Sequence, residues 1–179
     1  MNELLLTAGD RLQLRFARRG DRWEHIVEFR TDGKLAWRLN SIEGTPDNDW
    51  PSSPAFQSLA MHAGPEGRKF ALLVGMAGAS HWSASIEADP AAERIVFDIA
   101  CRIKQEPKWL GSSYLAWPSD GKESRLVIEP AGPQSTSDIS RPVIEVEANQ
   151  IRICVPHRID PLPRTVRWKY SIPASPESV

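Results

Sequence analysis

Residues 93–104 read ERIVFDIACRIK. Ile95, Phe97, Ile99, Cys101 and Ile103 alternate without a break against Val96, Asp98, Ala100, Arg102 and Lys104. A period of two lines one face of a strand and cannot hold one face of a helix. The same period recurs on both sides of this stretch. Upstream, RLQLRF (11–16) and WEHIVEF (23–29) each put their apolar residues on one side, with RRGD as the turn between them. TDGK (31–34) then supplies an Asp-Gly turn before Leu35, Trp37 and Leu39, which makes an opening meander of three antiparallel strands. Further strands are expected at 56–62, 68–76 and 80–87.

Downstream, a short strand is expected near Tyr114–Trp117, followed by PSDGK turning into RLVIE (125–129). PVIEVE (142–147), QIRICV (150–155) and TVRWKYSI (165–172) add three more. Two irregular stretches interrupt them, NSIEGTPDNDWPSSPA (40–55) and QEPKWLGSS (105–113), and AGPQSTSDISRP (131–142) is rich in Ser, Pro and Gly. The pattern specifies a single all-β domain over residues 1–179. About ten to twelve short strands bury their apolar faces as an antiparallel β-sandwich, with a β-barrel as the alternative closure.

Composition narrows the function. A formal net charge of -1 in 179 residues argues against nucleic acid or an anionic membrane as partner. The start, MNELLLTAGD, lacks the basic segment and long apolar run of a signal peptide, and no later run approaches a membrane span. Cys101 and Cys154 lie inside strand-like segments far from one another, so free thiols and a cytoplasmic setting are expected. His25, His62, His81 and His157 never occur at metal-ligand spacing, and no cofactor motif is present; neither a metal nor a cofactor is expected. Seven Trp dominate the aromatic content, and indole suits both a core and a stacking surface for a ligand.

LLVGMAGASHWSASIE (72–87) is the segment that most resembles chemistry. A phosphate loop would need a helix and a lysine after the glycines, and a nucleophile elbow would need G-x-S-x-G. Neither follows. On a strand His81 and Ser83 share a face about 6.5 Å apart, too far for a base and its nucleophile. A hairpin explains the segment better. With a three-residue loop Ala77-Gly78-Ala79, Val74 faces Trp82, Leu72 faces Ala84 and Phe70 faces Ile86, which predicts one apolar buried face; His81, Ser83, Ser85 and Glu87 form the polar side. A two-residue Gly-Ala turn is the competitor, and it sets Gly75 against Trp82.

Other candidates lie in the irregular stretches. Asp47, Asp49 and Trp50 could hold a sugar hydroxyl and stack its ring, and Trp109 with Tyr114 offers a similar pair. His25, between Trp23 and Val27 on an apolar face, reads as a satisfied core histidine. Arg15, Arg18, Arg19 and Arg22 flank a turn and are expected to be solvated. EGTPDNDWPSSPAFQSL (43–59), LLVGMAGASHWSASIE and FDIACRIKQEPKWLGSSY (97–114) resemble an uncharacterised bacterial family of planctomycete type over residues 40–114; the resemblance implies no activity and no site residues.

Three functions fit these residues. The leading one is a ligand-binding sandwich for a small polar molecule, carbohydrate foremost, held by His81, Ser83, Asp49, Trp50, Trp109 and Tyr114. The second is a sugar-acting acid/base enzyme of epimerase or mutarotase type, using His81 or His62 with Glu87 or Asp49. The third is a structural protein, a homo-oligomer built through the outer faces of the strands.

Overall fold

The computed structural model describes residues 4–65, 68–118, 127–131, 139–156 and 161–174. Among them are thirteen β-strands and no α-helix: β1 Leu4–Ala8, β2 Leu12–Arg19, β3 Arg22–Thr31, β4 Lys34–Ser41, β5 Ser58–Ala63, β6 Lys69–Ala77, β7 Ser80–Asp89, β8 Arg94–Ile103, β9 Gly111–Pro118, β10 Glu129–Pro130, β11 Val143–Glu147, β12 Gln150–Cys154 and β13 Arg164–Pro173. They form two antiparallel sheets, one of seven strands ordered β1-β2-β3-β4-β9-β12-β11 and one of six ordered β10-β13-β8-β7-β6-β5. Neither closes on itself. The molecule is a sandwich, with residues of both sheets in one core cluster.

The opening meander forms as its turns dictate. Asp32 and Gly33 both adopt positive φ, 51° and 74°, the conformation a two-residue hairpin needs to match strand twist. Inward rows then line up across the large sheet: Leu6, Leu14, Val27, Leu39 and Ala116 are consecutive register partners, all buried. In the small sheet Ile86, Phe97 and Tyr170 do the same. β1 was not expected from the sequence, because LLLTA lacks alternation and is short. Of the described residues of RLVIE only Glu129 lies in a strand; Arg125 and Leu126 lie outside the described residues, as do most of PSDGK and of 131–142 and all of His157.

The β6–β7 register differs from the expectation. Gly75 pairs with Trp82, Met76 with His81 and Ala77 with Ser80, so the turn is the two-residue Gly78-Ala79, with Gly78 at φ 53°. Trp82 and Ile86 are buried as expected, but Leu72, Val74 and Met76 are on the solvent side, 41–54% exposed. Space explains the reversal. The inward positions of β6 are Ala71, Leu73, Gly75 and Ala77, and the room above them is filled by the long loop: a Cβ at Gly75 would lie 2.0 Å from the carbonyl oxygen of Ala55. Gln57 completes the fit, its amide accepting from Met76 N at 2.6 Å and donating to Met76 O at 2.9 Å. A small-residue face is here the buried one.

The loop itself, 42–57, is half exposed and half core. Pro51, Ser53, Pro54, Ala55 and Phe56 are buried, and Phe56 O accepts from Trp23 N at 2.8 Å. Cys101 is buried, Cys154 half-buried, and both are free thiols. Burial pushes their pKa values up to about 12 and about 11.

This register makes a stability test. Trp82→Ala empties a buried site that meets Trp168 edge to face at 6.1 Å, and should cost about 3–5 kcal/mol. Gly75→Ala should cost at least about 1–3 kcal/mol through overpacking against Ala55, whereas Ser83→Ala should be silent. Urea unfolding of the three variants checks the order; a harmless Gly75→Ala would exclude the two-residue turn.

Candidate functional site

The long loop leaves the large sheet at Ser41 and returns to the small sheet at Ser58, and its exposed half carries Asp47, Asn48, Asp49 and Trp50. Local hydrogen bonds shape it. Asn48 Oδ1 accepts from Thr45 N at 2.8 Å and from the Thr45 hydroxyl at 3.1 Å, closing a turn of the kind asparagine favours. Asp49 rests on the β6–β7 turn, its Oδ1 2.5 Å from where a Cβ of Gly78 would be. A side chain at that position would push the carboxylate aside, and the positive φ of 53° also favours glycine there.

Opposite this wall runs the stretch after β8. Asp47, Asn48, Asp49 and Trp50 on one side and Gln105, Glu106 and Lys108 on the other line a cleft of about 510 Å³. Trp50 is half-buried, packed against the core, and the rest of its indole lines the cleft. The other lining side chains all carry hydrogen-bonding or charged groups. Such a set, one ring among donors and acceptors, is what a polyhydroxylated ligand requires.

The other sequence candidates go elsewhere. His81 and Ser83 line a groove of about 610 Å³ on the outer face of the small sheet, together with Arg102, Thr165, Val74 and Met76. Trp109 is half-buried and lines neither cavity; its indole N–H donates to Ser52 O at 3.1 Å, and the Arg152 guanidinium lies 5.9 Å from its ring. Its role here is to tie the two walls of the cleft together from behind. Tyr114 is fully buried and offers no face to a ligand from solvent. For the enzyme reading, no hydrogen bond or ion pair joins His81 or His62 to Glu87 or Asp49 among the described residues. His81 has no carboxylate along its groove, His62 stacks on Phe70 at 5.4 Å, and Glu87 pairs with Arg68 at 3.1 Å. Among the described residues no His, Cys, Asp or Glu side chains gather in threes as metal ligands.

Behind the cleft the loop is anchored by buried polar groups. His25 is a core histidine as expected: its Nε2 and the Tyr114 hydroxyl are 2.8 Å apart, and the Tyr114 and Tyr170 hydroxyls 2.6 Å. Burial holds the imidazole down to about 3 and both phenols above their usual range. Ser41 accepts from His25 N at 2.9 Å and donates to Glu43 at 2.6 Å. Glu43 is pushed up to about 7 by burial, against the pull of the Ser41 hydrogen bond and the nearby Arg22. Arg22 was expected in solvent, yet it is 2% exposed, close enough to act on Glu43 of the long loop, and bonded to Asp21 at 3.0 Å. Sequence reading missed Glu43, Gln105, Glu106 and Lys108. The available signal was position, since they open or fill the two irregular stretches.

No protein-family model, curated protein or solved structure matches the chain.

Glu43 and His25 give stability opposite pH slopes. The Glu43 carboxyl holds its proton more tightly in the fold, about 7 against 4.5, so its contribution is full below pH 4.5 and is lost as pH rises through 7. His25 is depressed from 6.5 to about 3, so its contribution is full above pH 6.5 and is lost as pH falls toward 3. Glu43→Gln removes only the first effect. Its stability relative to wild type should therefore rise by ~1–3 kcal/mol between pH 4.5 and 7 and then level off. Denaturant titrations across that range check this; a pH-independent difference would mean that Glu43 is ionised throughout.

Proposed function

We propose that the chain is a carbohydrate-binding β-sandwich whose binding site is the cleft at Trp50. The observation that carries this reading is the lining: one indole among Asp47, Asn48, Asp49, Gln105, Glu106 and Lys108. A pyranose has an apolar C–H face that packs on an indole and a rim of hydroxyls that both donate and accept. Carboxylates and amide oxygens accept from those hydroxyls, while the Lys108 ammonium and the amide N–H groups donate. The cleft volume is within the usual range for small-ligand sites, and its shape is fixed from behind by buried backbone. Ser53 donates to Ser113 O at 3.0 Å and accepts from Ser113 N at 3.1 Å, which clamps the loop to β9. A preformed loop avoids much of the ordering cost of binding.

The acidic lining also points to neutral or amino sugars rather than uronic acids, because three carboxylates stand against one ammonium. A panel of neutral, amino and acidic mono- and oligosaccharides, screened by thermal shift and confirmed by calorimetry, tests the proposal. A ligand present at 100 times its dissociation constant should add about 2.7 kcal/mol to stability. Asp47→Asn and Lys108→Ala, both at exposed positions, should weaken binding about tenfold while leaving the unfolding midpoint in place. Trp50→Phe should retain part of the affinity. A panel without a single binder, or binding indifferent to Asp47 and Lys108, overturns the assignment.

A further inference from the structure

The outer face of the six-stranded sheet carries a second, separate feature. Register places Met76, His81, Arg102 and Thr165 side by side across β6, β7, β8 and β13, and Val74, Ser83, Ala100 and Arg167 in the next row. Cross-strand neighbours of this kind have Cβ atoms about 4.5–5.5 Å apart, so each row is one continuous surface. Ala100 is the smallest side chain in its row, and the larger Arg102 and Arg167 rise on either side of it. The resulting groove, about 610 Å³, is apolar at its β6 end and basic at its β8 end.

The charges there are unbalanced. Arg94, Arg167 and Arg68 on or beside the same sheet pair with Asp89, Asp98 and Glu87. Arg102 has no carboxylate partner among the described residues, and the Lys104 ammonium, at the rim, has only His81 Nε2 at 3.5 Å. Two like charges two residues apart on one strand face repel each other, and nothing in the groove lining offers a negative group. The hydroxyls of Ser58, Ser83 and Thr165 can all donate. Beside them Leu72, Val74 and Met76 stand half exposed in one line along β6, a stripe of about 13 Å at strand rise.

We propose that this groove binds a small amphipathic carboxylate: the carboxylate accepts from Arg102, Lys104 and Ser83, and its aliphatic chain lies along Met76, Val74 and Leu72. Cation and stripe meet at Met76, directly across from His81. A medium-chain fatty acid has the matching shape, one anionic head and an apolar tail. The groove and the Trp50 cleft share no lining residue, so the proposal is independent of sugar binding.

Calorimetric titration of the full chain with sodium octanoate, sodium acetate and 1-octanol separates the two halves of the requirement. Octanoate should bind, with acetate and octanol each at least about tenfold weaker, and added salt should weaken octanoate. Arg102→Gln with Lys104→Gln should lower octanoate affinity at least about tenfold at an unchanged unfolding midpoint, and Val74→Ser should lower it without affecting the salt dependence. Asp47→Asn, in the other cavity, should leave it unaltered. Acetate binding as tightly as octanoate, octanoate binding undiminished in the double variant, or no octanoate binding up to about 10 mM overturns the proposal.

Discussion

The bond between the Tyr114 and Tyr170 hydroxyls, 2.6 Å long, crosses from one sheet to the other. Apolar side chains alone would let two sheets slide, because hydrophobic attraction has no direction. A hydroxyl pair in a dry interior does have one, and leaving either group unpaired would cost about 1–3 kcal/mol. The chain continues to His25 in the large sheet, while Tyr170 stacks on Phe97 at 4.7 Å in the small one. Four residues from β3, β8, β9 and β13 thus fix how the layers sit. Everything at that end of the sandwich is built on this contact.

The long loop is the first beneficiary. It begins at Ser41, whose hydroxyl links His25 N to Glu43, and it ends by laying Ala55 and Gln57 over Gly75. Between those anchors its second half fills the core with Pro51, Pro54 and Phe56, while its first half stands out to form one wall of the cleft. One segment therefore serves as both plug and cleft wall. The arrangement explains why so many prolines and serines sit in a single connection: the buried backbone needs fixed dihedrals and hydroxyl partners in place of a sheet ladder.

The two faces of the sandwich handle charge in different ways. On the large sheet Glu28 gathers Arg15, Arg30 and Arg38 within 3.6 Å and is held below the usual carboxylate range: burial opposes this, and hydrogen bonds from Gln13 and Arg38 outweigh it. On the small sheet Arg167 closes on Asp98 at 2.7 Å, and beyond it Arg102 has no carboxylate partner among the described residues. A net charge near zero conceals this local asymmetry.

Alternation alone determined much of this protein. It specified an all-β chain, placed β3, β4, β7, β8, β12 and β13 within a residue or two, and identified His25 as a core histidine. Those inferences depend on local periodicity and turn chemistry, which a strand carries wherever it ends up. The register of β6 on β7 was decided elsewhere. Phe70, Leu72, Val74 and Met76 look like a buried row, but a loop arriving from fifteen or more residues away claims the space over Gly75 and turns that row outward. The site divides along the same line. Asp49 and Trp50 were legible because polar turn residues beside an indole stand out in a loop. Their partners Gln105, Glu106 and Lys108, the separation of His81 into another groove and the burial of Tyr114 follow only from how two sheets stack, since proximity between distant segments is a property of the assembled layers.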